Sequence, residues 1–404
     1  MRSLLIISSY PPRFCGIATF VEEAVEFMKK ARPDTKIEII SHTDGAGEGV
    51  HPVIDLKDKR WYAGVAEKIR RLNPDAIHIE HEYGLYNYQG RDPRNREFIR
   101  LLDLIKDYPT VIEAHTIHGR LKESEEWFIK ELLKRCTVLI VKCEYQKWRL
   151  YWTFKDNKKI KKLLGKVTVV PHGARPDRRY GDEEINLLKE ELGLEELRGK
   201  HMAGMVGWVQ YNKRWDIVIN MWEEIEKAIY QKTKQHWLLF GAGDIRDEDD
   251  REEYSKYVMT LKGLEKKGIG KYFKFTPRGE IYYKVMAICD FIALTSVDET
   301  QSGTLARIIA TNTPYITTAP LEGLTAQTVD SQGGLLFTDR DSLKDGIIKL
   351  ACSEKLRRKF GDNLKKYLDT KVNWEIVARR YYEIHQKAID AKTGRAQINF
   401  PPNL

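Results

Sequence analysis

Residues Ser3 to Ala31 read SLLIISSYPPRFCGIATFVEEAVEFMKKA. SLLIISS is a short apolar run of strand length. YPPRFCGIA carries two prolines and a glycine and reads as a loop. TFVEEAVEFMKKA sets Phe20, Val21, Ala24, Val25, Phe27 and Met28 at three-to-four spacing, one apolar stripe of a helix. The rest of the chain repeats this order. IEIIS, DAIHIEHE, TVIEAHT, TVLIVKC and KVTVVPHG are five further strand-like runs up to Gly173, with helical stretches between them. Such alternation means right-handed crossovers and a parallel sheet.

The pattern pauses at ARPDRRYGDEEINLLKEELGLEELRGK, residues 174–200, which is charged and holds one helical pattern but no strand. It restarts with HMAGMVGWV and continues through HWLLFGAG, YFKFTPRG, FIALTS, TPYITTA and GGLLFTD. The tail reads as helices, ending in WEIVARRYYEIHQKAIDAK. The expected fold is therefore α/β, with two doubly wound parallel-sheet domains facing a cleft and the last helix returning to the first domain. The expected limits are 1–178, 179–372, and 373–404 for the returning helix and tail. Ligands of such sheets bind beyond the carboxyl ends of the strands, so the loops after strands are the ones to inspect.

Composition agrees with a globular chain of two domains. The 404 residues are 42% hydrophobic and 31% charged, which excludes a disordered chain. No run approaches the length of a membrane span. MRSLLIISSY reads as a strand rather than a signal peptide. Five cysteines with no CxxC pair argue against a disulfide framework or zinc site, and reduced thiols point to the cytoplasm. The net charge is +9. Residues 142–166 hold nine basic and two acidic residues, so this stretch alone carries +7. There KWRLYWTFKDNKKIKKLL interleaves Trp148, Tyr151, Trp152 and Phe154 with lysines. Aromatics among cations suit the surface of an anionic membrane. The competing reading packs the aromatics inward and leaves the lysines as a solvated face. Charge without a recognised module does not make a nucleic-acid binder.

Several residues stand where chemistry would be expected. Gly16 opens a helix directly after the first strand and its loop, where backbone N–H groups accept anions. His81, Glu82 and Tyr83 end the third strand in IEHEYG, and His115 ends the fourth in EAHTIHG. Imidazole both donates and accepts, which suits contacts to sugars or phosphates. Each histidine can equally be a satisfied structural one. Lys213 begins a helix after Gly207 and would meet a diphosphate; the alternative is a solvated surface lysine. SVDETQSGTLARIIATNTP follows a strongly apolar strand. Its Ser302, Gly303 and Thr304 sit at a helix start fit for phosphate, and Glu299 just before them can bond sugar hydroxyls.

With these residues in order, the chain resembles the retaining GT-B glycosyltransferases of the family 4 type, in the group that opens with PPRxCGIATF. PPRFCGIATF, IEHEYG, EAHT, VVPHG, the Gly207/Lys213 pair and QSGTLA occur in that family's order, over roughly residues 3–385. The resemblance implies transfer of a hexose, with retention, from a nucleotide-diphosphate sugar of the GDP-mannose or UDP-glucose type. No essential metal or other cofactor is implied. The acceptor is a carbohydrate or a lipid-linked species. It also implies that Gly16 faces the donor, His115 contacts the donor sugar, Lys213 binds the diphosphate and Arg278 lies by the base. Glu299 holds sugar hydroxyls, and Gly303 and Thr304 the phosphate; His81, Glu82 and Tyr83 fall on the acceptor side. Two positions depart from the pattern. Arg307 stands where many members have a second Glu, and Trp208 where many have Arg. Arg307 cannot accept from ribose hydroxyls as Glu would, but could add charge at the phosphates. The alternative these departures support is a catalytically degenerate nucleotide-sugar-binding or partner subunit. A sugar phosphorylase would need a pyridoxal lysine motif, which is not seen.

Overall fold

The structure is a computed structural model and describes residues 1–245, 251–297 and 302–400. The chain forms two compact units. Unit 1 comprises Met1–Gly173 together with Trp374–Leu404, and unit 2 comprises Ala174–Asn373. The change of unit thus falls at Gly173/Ala174, ahead of the expected 178/179, and the chain passes back at Asn373/Trp374.

Unit 1 is built on seven parallel strands. They are β1 Ser3–Ile7, β2 Lys36–His42, β3 Val50–Ile54, β4 Ala76–His81, β5 Thr110–Ala114, β6 Val138–Val141 and β7 Val167–Val169. Their order across the sheet is β3-β2-β1-β4-β5-β6-β7. β3 is absent from the sequence reading. Its VHPVI run contains Pro52, which cannot donate to a ladder. It survives because it is an edge strand, paired on one side to β2 with a register shift at Ser41/His42. Unit 2 has six parallel strands: β8 His201–Val206, β9 Trp237–Gly243, β10 Gly270–Lys274, β11 Phe291–Leu294, β12 Tyr315–Thr318 and β13 Gly334–Phe337. Their order is β10-β9-β8-β11-β12-β13. In each sheet the order reverses at one place: between β1 and β4 in unit 1, and between β8 and β11 in unit 2. These switch points are where open α/β sheets take their ligands.

The apolar faces of the strands build the core on both sides of each sheet. In unit 1, Leu5, Ile7, Ile77, Ile79 and Ile112 pack one way. Leu4, Ile6, Val111, Val138 and Ile140 pack the other way, against the helix Gly16–Ala31 and the C-terminal helix Trp374–Lys392. That last helix is held by direction-specific bonds as well as by area. Tyr382 Oη donates to Met28 O at 3.0 Å, and Trp374 Nε1 donates to a Glu23 carboxylate oxygen at 3.0 Å. Trp374 is fully buried, against Phe20 and Phe27. Its ring also lies on Gly173, where a Cβ would come within 2.3 Å of Trp374 Cδ2. All five cysteines are free. Among the described residues, no helix is long and apolar enough to cross a membrane.

Replacing Trp374 by Ala is expected to destabilise the protein by about 3–5 kcal/mol, the usual cost of an emptied aromatic site. Gly173→Ala should cost about 1–3 kcal/mol by overpacking the same ring. Urea unfolding followed by fluorescence checks both; an unchanged midpoint for Gly173→Ala would show that the Trp374 ring moves aside freely.

Candidate functional site

In unit 2 the switch point is shaped first by backbone. β8 is followed directly by Gly207, whose φ of +136° is foreign to residues with a Cβ. A Cβ there would stand 2.8 Å from Tyr282 Oη. Gly243, at the end of β9, comes closer still: its Cβ would lie 1.8 Å from Gly207 O. Only glycine at both places lets these strand ends meet. Beyond Gly207, Lys213 lies in the short turn Tyr211–Lys213 and is half-buried. Its Nζ donates to Ser296 Oγ at 3.4 Å, and Thr295 Oγ1 donates to Lys213 O at 2.7 Å. Lys213 is therefore folded onto the carboxyl end of β11 and is not a loose surface lysine.

The helix Gly303–Ala310 starts beside Gly207, where a Cβ would lie 3.9 Å from Thr304 Oγ1. Ser302 is buried and caps it, its Oγ accepting from Leu305 N–H at 3.3 Å. The Ser302 hydroxyl is thus engaged by the helix, and the first-turn N–H groups of Gly303 and Thr304 carry the positive end of the dipole. Thr304 Oγ1 and Tyr282 Oη are 3.0 Å apart and share a hydrogen bond. Arg307 points back along its own helix. One terminal nitrogen donates to Gly303 O at 2.9 Å, and the guanidinium lies over the rings of Tyr282 and Tyr283, 5.1 and 5.6 Å from their centroids. Its charge is held beside Gly303, in the first turn of the helix. Arg278 is exposed and precedes the helix Gly279–Ala287 in extended conformation. Trp208 is half-buried directly after Gly207. Glu299 lies outside the described residues.

In unit 1 the sequence candidates separate. Gly16 is exposed at the start of its helix, and a Cβ there would meet nothing within 4 Å. Glu82 is half-buried, with one oxygen accepting from Tyr83 N–H at 2.9 Å and the other from the Thr116 hydroxyl. Tyr83 stacks on His118, and burial, helped by Glu125 and Glu82, raises its phenol pKa. His81 is a correction to the acceptor-side expectation. Its side chain turns to the opposite face of β4 from Glu80 and is enclosed by Tyr86, Phe98 and Phe128. Its Nε2 is 3.3 Å from Asn95 Nδ2. It is a core residue, 1% exposed.

His115 stands at the carboxyl end of β5 and keeps a small exposed edge. Its Nε2 is 2.7 Å from Glu80 Oε2, and its ring meets Phe20 edge-on. Behind it lies a cluster that the sequence reading does not contain. His78 Nε2 is 3.2 Å from both a Glu80 and a Glu113 oxygen, and His78 Nδ1 is 2.8 Å from His385 Nε2 on the C-terminal helix. Tyr381 Oη donates to Glu113 at 3.0 Å. Lys142 Nζ contacts the same Glu113 oxygen, Oε1, that accepts from Tyr381, and lies 4.2 Å from the centre of the Phe20 ring. Lys142 is therefore buried, which corrects its place in the expected basic surface; Lys147 is buried as well. Burial would raise the Glu80 pKa, yet His78 and the bond from His115 hold it well below the carboxylate range. Burial lowers the Lys142 pKa, opposed by Glu80, and lowers that of His385. His78, Glu80 and Glu113 bring one ligand atom each within 4.8 Å, a spacing that metals also use, but Lys142 already places a cation on Glu113.

Comparison with known proteins adds the following. Overlaid on solved structures, the chain has a TM-score of 0.69 to Anabaena HepE crystallised with UDP, at 15% identity, covering 95% of this chain and 99% of that one. The fold is GT-B. A TM-score of 0.69 is also found with sucrose-phosphate synthase of Thermosynechococcus elongatus, at 14% identity, over 97% of this chain and 100% of that one. Identities this low speak for the GT-B fold alone. Residues 193–367, inside unit 2, match the family described as glycosyl transferases group 1. An uncharacterised glycosyltransferase of Methanocaldococcus jannaschii is 30% identical over 77 residues, 19% of this chain. The chain thus spans about one fifth of the length of the curated relative it matches.

The enclosure of His81 has a pH consequence. Burial, with the charge of His115 adding, pushes its pKa from 6.5 down to about 3. The unfolded imidazole takes a proton below about 6.5 while the folded one stays neutral, so the unfolded chain binds more protons and stability falls as pH drops through this window. His81 contributes at most about 1.4 kcal/mol per pH unit. Urea midpoints between pH 7 and pH 4 should fall less steeply for His81→Leu than for the wild type; equal slopes would show that His81 does not contribute.

Proposed function

We propose that the protein is a retaining glycosyltransferase that moves a hexose from a nucleotide-diphosphate sugar, of the GDP-mannose or UDP-glucose type, to a carbohydrate or lipid-linked acceptor. The observation that carries this reading is the unit 2 switch point. There a lysine pinned at the end of β11, a glycine-shaped strand end at Gly207 and the N-terminus of Gly303–Ala310 adjoin. Cation, close backbone and helix dipole are what a leaving diphosphate requires. The fold match to a protein crystallised with UDP supports the same reading.

In this mechanism the chemistry is electrostatic. As the bond to the sugar breaks, charge grows on the diphosphate, and Lys213 with the N–H groups of Gly303 and Thr304 stabilises it. Arg307, held beside Gly303, adds to the field. Ser302 serves by fixing the helix start. Arg278 lies by the base and Glu299 holds sugar hydroxyls. Gly16 and His115, at the carboxyl edge of unit 1, take the donor-facing roles that the resemblance gives them, and Glu82 and Tyr83 the acceptor-facing ones. The acceptor attacks the face the nucleotide leaves, with a phosphate oxygen receiving its proton.

Lys213→Ala should weaken nucleotide-diphosphate binding about 10- to 100-fold, the loss of one charge-assisted contact. Calorimetry with UDP and GDP measures it, and unchanged affinity would return Lys213 to the surface lysines. Incubation with a panel of nucleotide sugars, read as nucleotide release, tests the activity itself. We expect turnover in the presence of a chelator, since Lys213 and the helix dipole supply the charge a metal would otherwise bring.

A specific observation favours a lipid-linked acceptor. On the helix Glu144–Thr153, Tyr145, Trp148 and Trp152 are exposed in a row, with Tyr145 tilted against Trp148 at 5.9 Å and Trp148 stacked on Trp152 at 5.7 Å. Arg149 lies over Tyr145 and Trp148, and Lys155 over Trp152. Lys158, Lys159, Lys161 and Lys162 follow. Phe154 packs into the core instead, and Tyr151 partly so. Exposed aromatics with cations on their faces suit an anionic bilayer surface. Flotation with vesicles containing anionic lipid should carry the protein at low salt, and the Trp148→Ala/Trp152→Ala variant should float less. Equal recovery with neutral vesicles would remove this reading.

A further inference from the structure

The buried cluster behind His115 is costly unless it serves something. Glu80, Glu113, His78, Lys142 and His385 are each no more than 3% exposed. An isolated carboxylate in such a place is strongly disfavoured, and two are held only if their charge is balanced and their lone pairs are used. Lys142 balances one. A proton on His78 would balance the second. His78 directs Nε2 between the two carboxylates, 3.2 Å from each, and Nδ1 toward His385 Nε2 at 2.8 Å. His78 Nδ1–H donates to His385 Nε2, while Nε2 faces the two carboxylates at ion-pair distance, without a hydrogen bond aligned on either. Glu80 then stands between two imidazoles, His78 on one side and His115 on the other. With its carboxylate fixed, it accepts a hydrogen bond from His115 Nε2–H, which sets the tautomer with Nδ1 unprotonated.

We propose that Glu80 is the positioning residue of His115, and that the buried chain His115–Glu80–His78–His385 makes the donor-facing histidine of unit 1 depend on the C-terminal helix. The part that concerns catalysis rests on the glycosyltransferase reading above. The tautomer it assigns does not, because it follows from the bonds alone. Phe20 completes the arrangement, with the His115 ring on its edge and Lys142 against its ring. The ring of His115 is thereby held in place as well as in protonation state.

The test has two arms on the full-length chain. Selective ¹⁵N-histidine labelling, with His115→Gln to assign the signal, reads which nitrogen of His115 carries the proton in the wild type. We expect it on Nε2, with the signal shifted in Glu80→Gln and, through His78, in His385→Gln. A proton on Nδ1 alone, or a His115 signal indifferent to Glu80, would overturn the proposal. In the second arm, nucleotide release by Glu80→Gln should lose about 10- to 100-fold in kcat, one charge-assisted bond's worth, with KM for the nucleotide sugar nearly unchanged. A folded Glu80→Gln enzyme with wild-type kcat overturns the catalytic part. A wild type without turnover on any nucleotide sugar sinks the glycosyltransferase reading, and the NMR arm then decides the tautomer by itself. A stoichiometric divalent metal in the purified protein, lost in Glu113→Gln, would also overturn the proposal, since the metal would stand where the His78 proton is placed.

Discussion

Two carboxylates are buried in the middle of a parallel sheet, and much of unit 1 is arranged to keep them there. Glu80 on β4 and Glu113 on β5 lie on the face covered by the C-terminal helix. Lys142 arrives from the end of β6, His78 from β4, and Tyr381 and His385 from a helix some three hundred residues further along the chain. Removing any one partner leaves a charge or polar atom without compensation, which costs far more than the bond itself contributes. The apolar packing around Trp374 and the ion cluster therefore reinforce each other: the helix excludes water from the charges, and the charges fix where the helix lies.

Unit 2 is governed by a different constraint. Its switch point is set by how closely backbone can approach backbone, at Gly207 and Gly243. Side chains are then placed around that contact. Tyr282 bonds Thr304 and lies under Arg307, so one tyrosine positions the start of the Gly303–Ala310 helix and restrains the arginine of its next turn. Arg307 is held locally by that stack and one carbonyl.

Most strands were readable because both faces of a parallel sheet are covered, which leaves strongly apolar runs such as TVLIV and FIALT. β3 was not, since Pro52 breaks the pattern and only an edge position excuses it. β4 misleads in a more instructive way. HIEH alternates as a half-solvated strand would, yet every residue of it is buried. Alternation reports that two faces differ, not that one of them meets water. The partners that make the polar face tolerable lie 35 to 307 residues away in sequence, as with Glu80–His115 and His78–His385, and no local window holds them. Lys142 and Lys147 were likewise hidden inside a basic run in which Lys155, Lys158, Lys159, Lys161 and Lys162 are exposed. In unit 2, Gly303 and Lys213 were legible because strand, glycine and helix start are contiguous; the stacking of Arg307 on Tyr282 was not, because it joins two helices.

Unit 1 is discontinuous in the chain, with all of unit 2 inserted between Gly173 and Trp374. Synthesis runs in one direction, so the seven strands of the first sheet leave the ribosome long before the helix that covers Glu80, Glu113 and His78. Until Trp374–Lys392 is made, those groups face water and nothing obliges them to share a proton or a lysine. The inserted unit has its whole sequence available first and is free to fold on its own. The order of completion is then the reverse of the order of synthesis: the unit begun first is sealed last, and its charged interior comes into being in that final step.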